Sequence, residues 1–284
     1  MKKSLSVWGI RAACLSLVLV AQSCWSSPRK GGAWAGDVPE GEAAEVSAKA
    51  EPSIPSGARA LMLAYPGFIG SYSDNKLVFL DGSTLEYDDG ISKTYLERLD
   101  NSDPEDMFAD RYYTGPVKEP QYCYDPGRGR CEALFKKMYG GSEAEVRKHL
   151  ADVTWFGQKL KFTTVNAAAD SLRAVEADIL RNHPSLQKYF AKSSTFYWRQ
   201  VRGAQRLSAH SYGMTIDICV EYSNYWRWSN PGKDELDTLQ FQNRIPDEII
   251  MCFERHGFIS GAKWYHFDTM HFEFRPELLY HGRE

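Results

Sequence analysis

Residues 208–217 read Ser-Ala-His-Ser-Tyr-Gly-Met-Thr-Ile-Asp, and residues 264–276 read Trp-Tyr-His-Phe-Asp-Thr-Met-His-Phe-Glu-Phe-Arg-Pro. In the first stretch, apolar residues from position 214 onwards alternate with polar ones. A period of two is typical of a β-strand that buries one face. We therefore predict a strand over residues 214–220 whose polar face carries Asp217.

The second stretch shows the same alternation close to the C-terminus. Phe272 and Phe274 occupy one set of alternate positions, and His271 and Glu273 occupy the other. Two strands of this kind can lie in one sheet with Asp217 and His271 on converging faces. We predict an α+β fold in which a small antiparallel sheet carries these residues and packs against helices.

Three side chains in the two stretches have the donor atoms of a catalytic zinc site. His210, Asp217 and His271 offer two imidazoles and a carboxylate, and catalytic zinc typically takes three protein ligands of these types. The fourth position then holds a water, whose pKa the ion lowers to about 7. Gly213 lies between the first two ligands, where it suits a tight change of direction before the strand.

A hydrolytic zinc site also needs a general base within hydrogen-bonding reach of the water. Asp268, three residues before His271, is the first candidate, and Glu273, two residues after His271, is the second. His266 is a third candidate, or a group that stabilises the oxyanion. A serine nucleophile at Ser208 is not expected, because the sequence lacks a Gly-x-Ser-x-Gly elbow. The metalloprotease motif His-Glu-x-x-His is also absent from the sequence.

The two stretches together resemble a known family. The pattern Ser-x-His-x-x-Gly-x-x-x-Asp at residues 208–217, followed by Asp-x-x-His at residues 268–271, is similar to the zinc D-alanyl-D-alanine carboxypeptidase family. Its relatives include vancomycin-resistance D,D-peptidases, phage L-alanyl-D-glutamate endolysins and the hedgehog signalling domain. The resemblance covers about residues 155–284. It implies that the zinc ligands are His210, Asp217 and His271.

One departure from the family pattern leaves the cleaved bond open. Many D,D-carboxypeptidases of this family have a Glu three residues before the last His, whereas this sequence has Asp268. An Asp at that position is similar to the endopeptidase branch. The family also has a substrate-positioning arginine upstream of the first His.

We predict that Arg199 is this arginine and that it is a catalytic residue. Substrate binding is predicted for Arg202, Ser208 and Tyr212. A guanidinium at this place could bind a terminal carboxylate through two hydrogen bonds or stabilise the oxyanion. The alternative is that these arginines are solvated surface charges.

Aromatic residues are frequent around the first motif. They could line a groove for a glycan or a peptide stem, or they could belong to the core. The residues concerned are Tyr197, Trp198, Tyr222, Tyr225, Trp226 and Trp228.

The N-terminus has the pattern of an export signal. Two lysines at its start and a short apolar run predict a signal peptide over residues 1–23. Cys24 follows directly and is a candidate for the acylated first residue of a bacterial lipoprotein; ordinary secretion is the alternative. Residues 24–57 are rich in Ala, Gly, Pro, Ser and Glu, and this composition predicts a flexible linker.

Residues 58–150 carry no catalytic cluster and are interpreted as an N-terminal α/β elaboration. Asp81-Gly82 between two apolar runs predicts a β-hairpin. Asp103 is expected to begin a helix, residues 131–139 are expected to form a second, and Ser142 is expected to cap a third through a capping box.

Residues 151–284 are predicted to form the zinc peptidase domain. Asn166 is expected to cap a helix whose apolar side chains recur every three or four residues, which is typical of a core-facing helix. A further helix is expected to begin at Pro246 and to end near His256, whose partial positive charge would suit the C-terminal end of the helix dipole.

Four cysteines remain once the predicted signal and Cys24 are set aside. In an exported protein they could form disulfides in three possible pairings, or they could be buried thiols. Cys123 and Cys131 are the nearest pair in sequence and flank a turn-rich segment. The remaining two are Cys219 and Cys252.

The composition bounds the function. The chain of 284 residues has a formal net charge of −3, and no basic stripe indicates nucleic-acid binding. The site and the export signal together predict an exported zinc metallopeptidase that hydrolyses peptidoglycan stem peptides as a D-alanyl-D-alanine carboxypeptidase. An L-alanyl-D-glutamate-type endopeptidase and a non-catalytic wall-binding protein are the alternatives. The expected partners are Zn²⁺ and the stem peptide, with membrane contact only through the signal or a lipid anchor.

Overall fold

The computed structural model describes residues 53–201 and 203–283 of the chain. The predicted signal peptide, Cys24, nearly all of the predicted linker and Arg202 lie outside these ranges. Within them, no helix is both long and apolar enough to cross a membrane. Helices and small antiparallel sheets alternate along the chain, so the α+β prediction is confirmed.

The N-terminal region contains four helices and three strands. Its elements are α1 (Ser56–Ala64), β1 (Ile69–Ser73), β2 (Lys76–Phe79), β3 (Thr84–Glu86), α2 (Tyr95–Asn101), α3 (Glu132–Tyr139) and α4 (Glu143–Lys148). The three strands form an antiparallel meander, and the predicted turn at Asp81-Gly82 joins β2 to β3. Helix α1 includes the last two residues of the predicted linker, Ser56 and Gly57.

The described part of the C-terminal region contains four α-helices and five strands. Its elements are β4 (Leu150–Trp155), β5 (Gln158–Thr163), α5 (Ala168–Asn182), β6 (Thr215–Asp217), α6 (Trp226–Ser229), α7 (Asp247–Arg255), β7 (Phe258–Ser260), β8 (His271–Phe274) and α8 (Pro276–His281). Strands β4 and β5 form a hairpin, and β6, β8 and β7 form an antiparallel sheet with β8 in the centre. The sheet of β6, β8 and β7 carries Asp217 and His271 from the two motifs, and we call it the motif-carrying sheet.

Two predicted helix starts are wrong. Asn166 does not cap α5, because it adopts a left-handed backbone conformation (φ 53°) and its side chain donates to the Ala64 carbonyl at 2.9 Å. Asp103 and Asp106 each accept the other's backbone N–H, and Lys93 binds both carboxylates, but only the 3-10 turn Asp106–Phe108 follows. The full helix in this region is α2, which begins after a capping box at Thr94.

Other local predictions agree with the structure. The Ser142 hydroxyl accepts from the Glu145 backbone N–H at 3.3 Å and caps α4, although the Glu145 carboxylate binds Gly141 and does not complete a capping box. The apolar face of α5 is buried, and α7 starts directly after Pro246. The strand predicted over residues 214–220 is shorter, because the chain leaves the sheet after Asp217 and turns at Val220.

One hydrophobic core includes side chains from both sides of residue 150. Leu61 and Phe135 from the N-terminal region belong to the same buried cluster as Phe253 and Phe272. The division of the body into two domains at that position stays a prediction. What the packing shows is that the N-terminal region is built into the core beneath the motif-carrying sheet.

Phe272 provides a test of this core. Its ring is fully buried in β8 and stacks on Phe253, with 3.9 Å between ring centroids. We expect Phe272→Ala to lower the free energy of unfolding by about 3–5 kcal/mol, because it removes buried apolar area and leaves a cavity. Urea denaturation followed by far-UV circular dichroism measures the change.

The matched control is Leu80→Ala, since Leu80 is 64% exposed. Its effect should stay within about 0.5 kcal/mol. Equal stabilities for the two variants would contradict the assignment of Phe272 to the centre of the core.

Candidate metal centre

His210 lies in a 3-10 turn that leads into the sheet. The turn covers Ala209–Tyr212 and ends at Gly213, which has a left-handed backbone conformation (φ 67°). A Cβ atom at Gly213 would lie only 2.5 Å from Leu150 Cδ2. Glycine is therefore required here for its backbone conformation and for its lack of a side chain. It turns the chain from His210 directly into β6.

Asp217 and His271 are paired across the sheet. They lie opposite each other in the antiparallel register of β6 and β8. Asp217 Oδ1 lies 2.9 Å from His271 Nδ1, and Asp217 Oδ2 lies 3.1 Å from His210 Nε2. One carboxylate thus contacts both imidazoles, and one donor atom from each of the three residues falls within 4.8 Å of the others. The three predicted ligands meet at one point.

Each imidazole is held through its other nitrogen. His210 Nδ1 donates to the Thr195 carbonyl at 2.6 Å, which leaves Nε2 without a proton in the neutral ring and directed at Asp217. His271 Nε2 donates to Glu273 Oε1 at 2.9 Å, which leaves Nδ1 for the common centre. Histidine ligands of metals are usually oriented by acceptors of this kind.

The geometry fits a zinc ion. Two ligand atoms at about 2.0–2.1 Å from a tetrahedral zinc lie about 3.3 Å apart, close to the distances between Asp217 and the two imidazoles. His210 and His271 are both buried, and Asp217 is partly exposed. The three side chains therefore form a candidate metal site whose donor types are those that zinc takes.

Three other acid-rich clusters in the described ranges also bring potential ligands together. In the cluster of Asp178, Cys252 and His256, the Arg255 guanidinium binds the Asp178 carboxylate at 3.0 Å. Burial also raises the pKa of the Cys252 thiol to about 12, so it stays protonated. In the two clusters around Asp103, Lys93 pairs with Asp89, Asp103 and Asp106. These clusters thus already contain a protein cation.

The charges at the centre are strongly coupled. Burial opposes ionisation of Asp217, but when the two imidazoles are protonated, the charge of His210 and the hydrogen bonds that both rings then donate hold the pKa of this carboxyl well below its usual range. Burial also opposes protonation of His271, yet its hydrogen bonds to Asp217 and Glu273 outweigh that effect and raise its pKa to about 10. A metal ion at this point has to displace a proton from His271.

Asp268 lies beside the centre with a carboxylate oxygen to spare. The Asp268 carbonyl accepts from the His271 N–H at 3.1 Å, so a turn holds it directly before β8. Asp268 Oδ1 is buried and has no hydrogen-bond partner among the described residues. Burial raises the pKa of this carboxyl to about 7, with a further contribution from the charge of Asp217 and opposition from His271. A carboxylate with these properties suits a general base.

The other two candidate bases have structural partners. Glu273 is fully buried, accepts from His271 and binds Arg130 and Arg275, whose charges hold its pKa at about 2 despite burial. The His266 ring is also buried, with Nδ1 on Asp125 at 2.6 Å and Nε2 on the Glu235 carbonyl at 2.8 Å. Both residues are thus held by structural partners, which favours Asp268 as the general base, and the choice among the three stays a prediction.

The residues assigned to substrate contacts are spread around the turn. The Arg199 side chain is exposed and donates to the Gln200 carbonyl at 3.4 Å, while its backbone carbonyl accepts from Ser208. Ser208 is buried, and Tyr212 packs in the core against Phe135 and Tyr139. Arg202 lies outside the described ranges. The roles of these residues in substrate binding stay predictions.

The aromatic set divides into two kinds. Trp226 is buried against Phe267, whereas Tyr197 and Trp228 are exposed. The core interpretation is therefore confirmed for Trp226, and a ligand groove that includes the exposed members stays a prediction. The four cysteines in the described ranges are all free thiols.

Sequence reasoning missed two groups that support the ligands. Thr195 acts through its backbone carbonyl, which carries no side-chain signal. Arg130 acts through Glu273, and it lies in a Gly-Arg-Gly-Arg segment that reads only as a turn. An arginine in such a segment could be suspected of a buried role only from its partner, which lies 143 residues away in the chain.

Zinc binding tests the centre directly. We expect the purified protein to bind one Zn²⁺, and His210→Ala or Asp217→Ala to weaken binding by more than about 100-fold, since even an outer partner of a ligand is worth 10–100-fold. Competition with a chromogenic chelator measures the affinity. His256→Ala is the control from the competing cluster, and loss of zinc in that variant would contradict the assignment.

A comparison with known families agrees with this geometry. A family model described as D-alanyl-D-alanine carboxypeptidase matches residues 202–274, a range that contains the three ligands and Asp268. No curated protein and no solved structure shows significant similarity to the chain. The match confirms the resemblance drawn from the two motifs: over residues 202–274, this chain has the sequence pattern of the D-alanyl-D-alanine carboxypeptidase family.

Proposed function

We propose that the protein is a zinc metallopeptidase that hydrolyses peptidoglycan stem peptides as a D-alanyl-D-alanine carboxypeptidase. The observation that carries the proposal is a His₂Asp centre next to a carboxylate with a buried oxygen that has no partner among the described residues. A metallopeptidase is also what the family match supports. Stem peptides follow from that family, whose substrates end in D-alanyl-D-alanine.

The ligand set defines where the chemistry would take place. Bound to His210, Asp217 and His271, a zinc ion would supply a Lewis acid and a water of lowered pKa. Thr195 and Glu273 hold the two imidazoles in place before any substrate arrives. This preorganisation keeps the donor atoms in position without a rearrangement during the reaction.

Asp268 moves the proton in this proposal. Its carboxylate accepts a proton from the water that attacks the peptide carbonyl, and it then returns that proton to the nitrogen of the leaving amine. A base whose pKa lies near the working pH can do both. The pKa of about 7 places Asp268 in that range. Arg199 is proposed to bind the terminal carboxylate of the substrate or to stabilise the oxyanion.

An endopeptidase is the second candidate, because the base position holds Asp268 where many carboxypeptidases of the family have Glu. A non-catalytic wall-binding protein is less well supported. Such a protein has no use for a buried carboxylate oxygen that is left without a partner, since this arrangement is costly unless a water or substrate satisfies it.

We also propose that the protein is exported to the periplasm or cell envelope. The export pattern of residues 1–23 supports this, and so does the substrate, which lies outside the cytoplasmic membrane. Cys24 would provide a lipid anchor if it is acylated, and the segment after it would then link the anchor to the enzyme.

Replacing Asp268 tests the mechanism. We expect Asp268→Asn to keep its zinc and to lower kcat on purified stem peptides by about 10²–10⁴-fold, the usual contribution of a general base. In the wild type, kcat/KM should fall as the pH drops through the pKa of Asp268, because only the ionised carboxylate accepts a proton. The midpoint of this fall should lie at or below about pH 7, because a bound cation lowers the pKa of a nearby carboxyl.

The matched control is Asp152→Asn, a change of the same kind at an exposed carboxylate on β4. It should leave kcat and the pH profile unchanged. Normal hydrolysis by zinc-loaded Asp268→Asn would contradict the proposed role of this residue.

Mass spectrometry of digested muropeptides identifies the bond. A carboxypeptidase removes one terminal alanine from a pentapeptide stem, and we expect this product. An endopeptidase instead divides the stem internally, and an unchanged digest would support a binding protein. The Asp268→Asn variant run in parallel shows whether any product comes from this site.

A further inference from the structure

A row of buried charges extends from the metal centre into the N-terminal region. Glu273, Arg275 and Glu277 follow His271 at intervals of two residues, and all three are fully buried. Arg275 Nη1 donates to Glu273 Oε2 at 3.2 Å, and its Nε donates to Glu277. The Tyr65 hydroxyl in the N-terminal region donates to Glu277 at 2.7 Å. The row thus joins a metal ligand to the segment after α1.

Arg130 joins this row at the residue next to the ligand. Its Nη1 donates to Glu273 Oε1 at 2.8 Å, and the same oxygen accepts from His271 Nε2 at 2.9 Å. Arg275 holds the second oxygen of that carboxylate. With one arginine on each oxygen, the carboxylate plane of Glu273 is fixed, and the direction from which His271 donates is fixed with it.

The turn that supplies Arg130 contacts the residues on both sides of strand β8. Arg130 Nη1 and Arg275 Nη1 both donate to the Gly127 carbonyl, at 3.3 Å and 3.0 Å. The Trp264 indole N–H donates to the Pro126 carbonyl at 2.7 Å, and the His266 backbone N–H donates to Asp125 at 2.9 Å. Gly127 has φ 95°, and a Cβ there would lie 2.5 Å from Ile259 Cδ1. The turn therefore approaches its neighbours closely at Gly127, where a glycine suits the left-handed backbone.

We infer that Arg130 is a positioning residue of the metal centre. It acts through Glu273, which it holds as the acceptor for His271 Nε2, so that His271 presents Nδ1 to the metal. The inference rests on the proposed zinc site and extends it to a residue 72 positions before the start of the matched family segment. The N-terminal region therefore completes the site by supplying this guanidinium.

A purely structural role for Arg130 is the alternative. A fully buried carboxylate needs a partner, and loss of that partner destabilises a protein wherever the pair lies. Such a role predicts a change in the stability of the metal-free protein. It does not predict a change in the affinity for zinc or in the geometry of the bound ion. The two readings can therefore be separated by measuring zinc affinity, the ligand field and apo stability on the same variants.

The test uses the full-length protein with Arg130→Met and Arg130→Lys. Met keeps the volume and removes the donors, whereas Lys keeps a charge that can still reach Glu273. We expect Arg130→Met to weaken zinc binding by about 10–100-fold, as removal of an outer partner typically does, and Arg130→Lys to recover much of the loss. Chelator competition gives the affinity, and the visible spectrum of the Co²⁺-substituted protein reports the ligand geometry.

Glu273→Gln completes a double-mutant cycle. If Arg130 acts through Glu273, Arg130→Met should cost much less zinc affinity in the Glu273→Gln background than in the wild type, because residues that act through one another are not additive. Arg147→Met is the control, since Arg147 forms an exposed pair with Glu143 on α4. It should leave the affinity and the Co²⁺ spectrum unchanged.

Failure of this inference differs from failure of the proposed function. A wild-type protein that binds no zinc would overturn the function and the inference together. A wild type that binds zinc, with Arg130→Met equal to it in affinity and Co²⁺ spectrum, would overturn only the role of Arg130. If Arg130→Met does not fold, Glu273→Gln decides, since unchanged zinc affinity and an unchanged Co²⁺ spectrum in that variant contradict the inference.

Discussion

The pairing of Asp217 with His271 across two antiparallel strands is the interaction on which the site depends. The register of β6 and β8 places these residues opposite each other, and a carboxylate oxygen of Asp217 lies within hydrogen-bonding distance of each of the two imidazoles. A slip of one residue would send Asp217 to the other face of the sheet and separate it from His271. Burial of Ile216 and Phe272 on the opposite face prevents such a slip, because those side chains would then lose their place in the core.

Preorganisation around this pair comes from groups that are not candidate ligands themselves. The Thr195 carbonyl sets the orientation of His210, and the segment that carries it pairs with Asp217 through backbone hydrogen bonds between Ser194 and Asp217. Glu273 does the same for His271. Each imidazole is thus oriented by an acceptor on its second ring nitrogen. These hydrogen bonds hold the donor atoms of the two rings close to Asp217.

The N-terminal region is part of the same hydrophobic core as the motif-carrying sheet, which its sequence does not suggest. Its residues look like an addition to a peptidase domain because they contain no catalytic pattern. In the fold, its core is continuous with that of the motif-carrying sheet. Its turn at residues 125–130 binds His266 and Glu273, so two residues that looked like candidate bases are held in supporting roles.

The sequence by itself determined which side chains could serve as metal ligands and predicted the strands that carry Asp217 and His271, because alternation and turn signals are local. Gly213 marks the turn between His210 and Asp217. Only the tertiary structure decided what Glu273 and His266 do, since the partners that occupy them, Arg130 and Asp125, lie more than 140 residues away. Asn166 shows the same limit on a smaller scale. Its side chain had the chemistry of a helix cap, but a carbonyl from α1 took its hydrogen bond. Local pattern fixes which chemistry a residue can offer, and long-range packing decides which of its polar atoms remain available to use it.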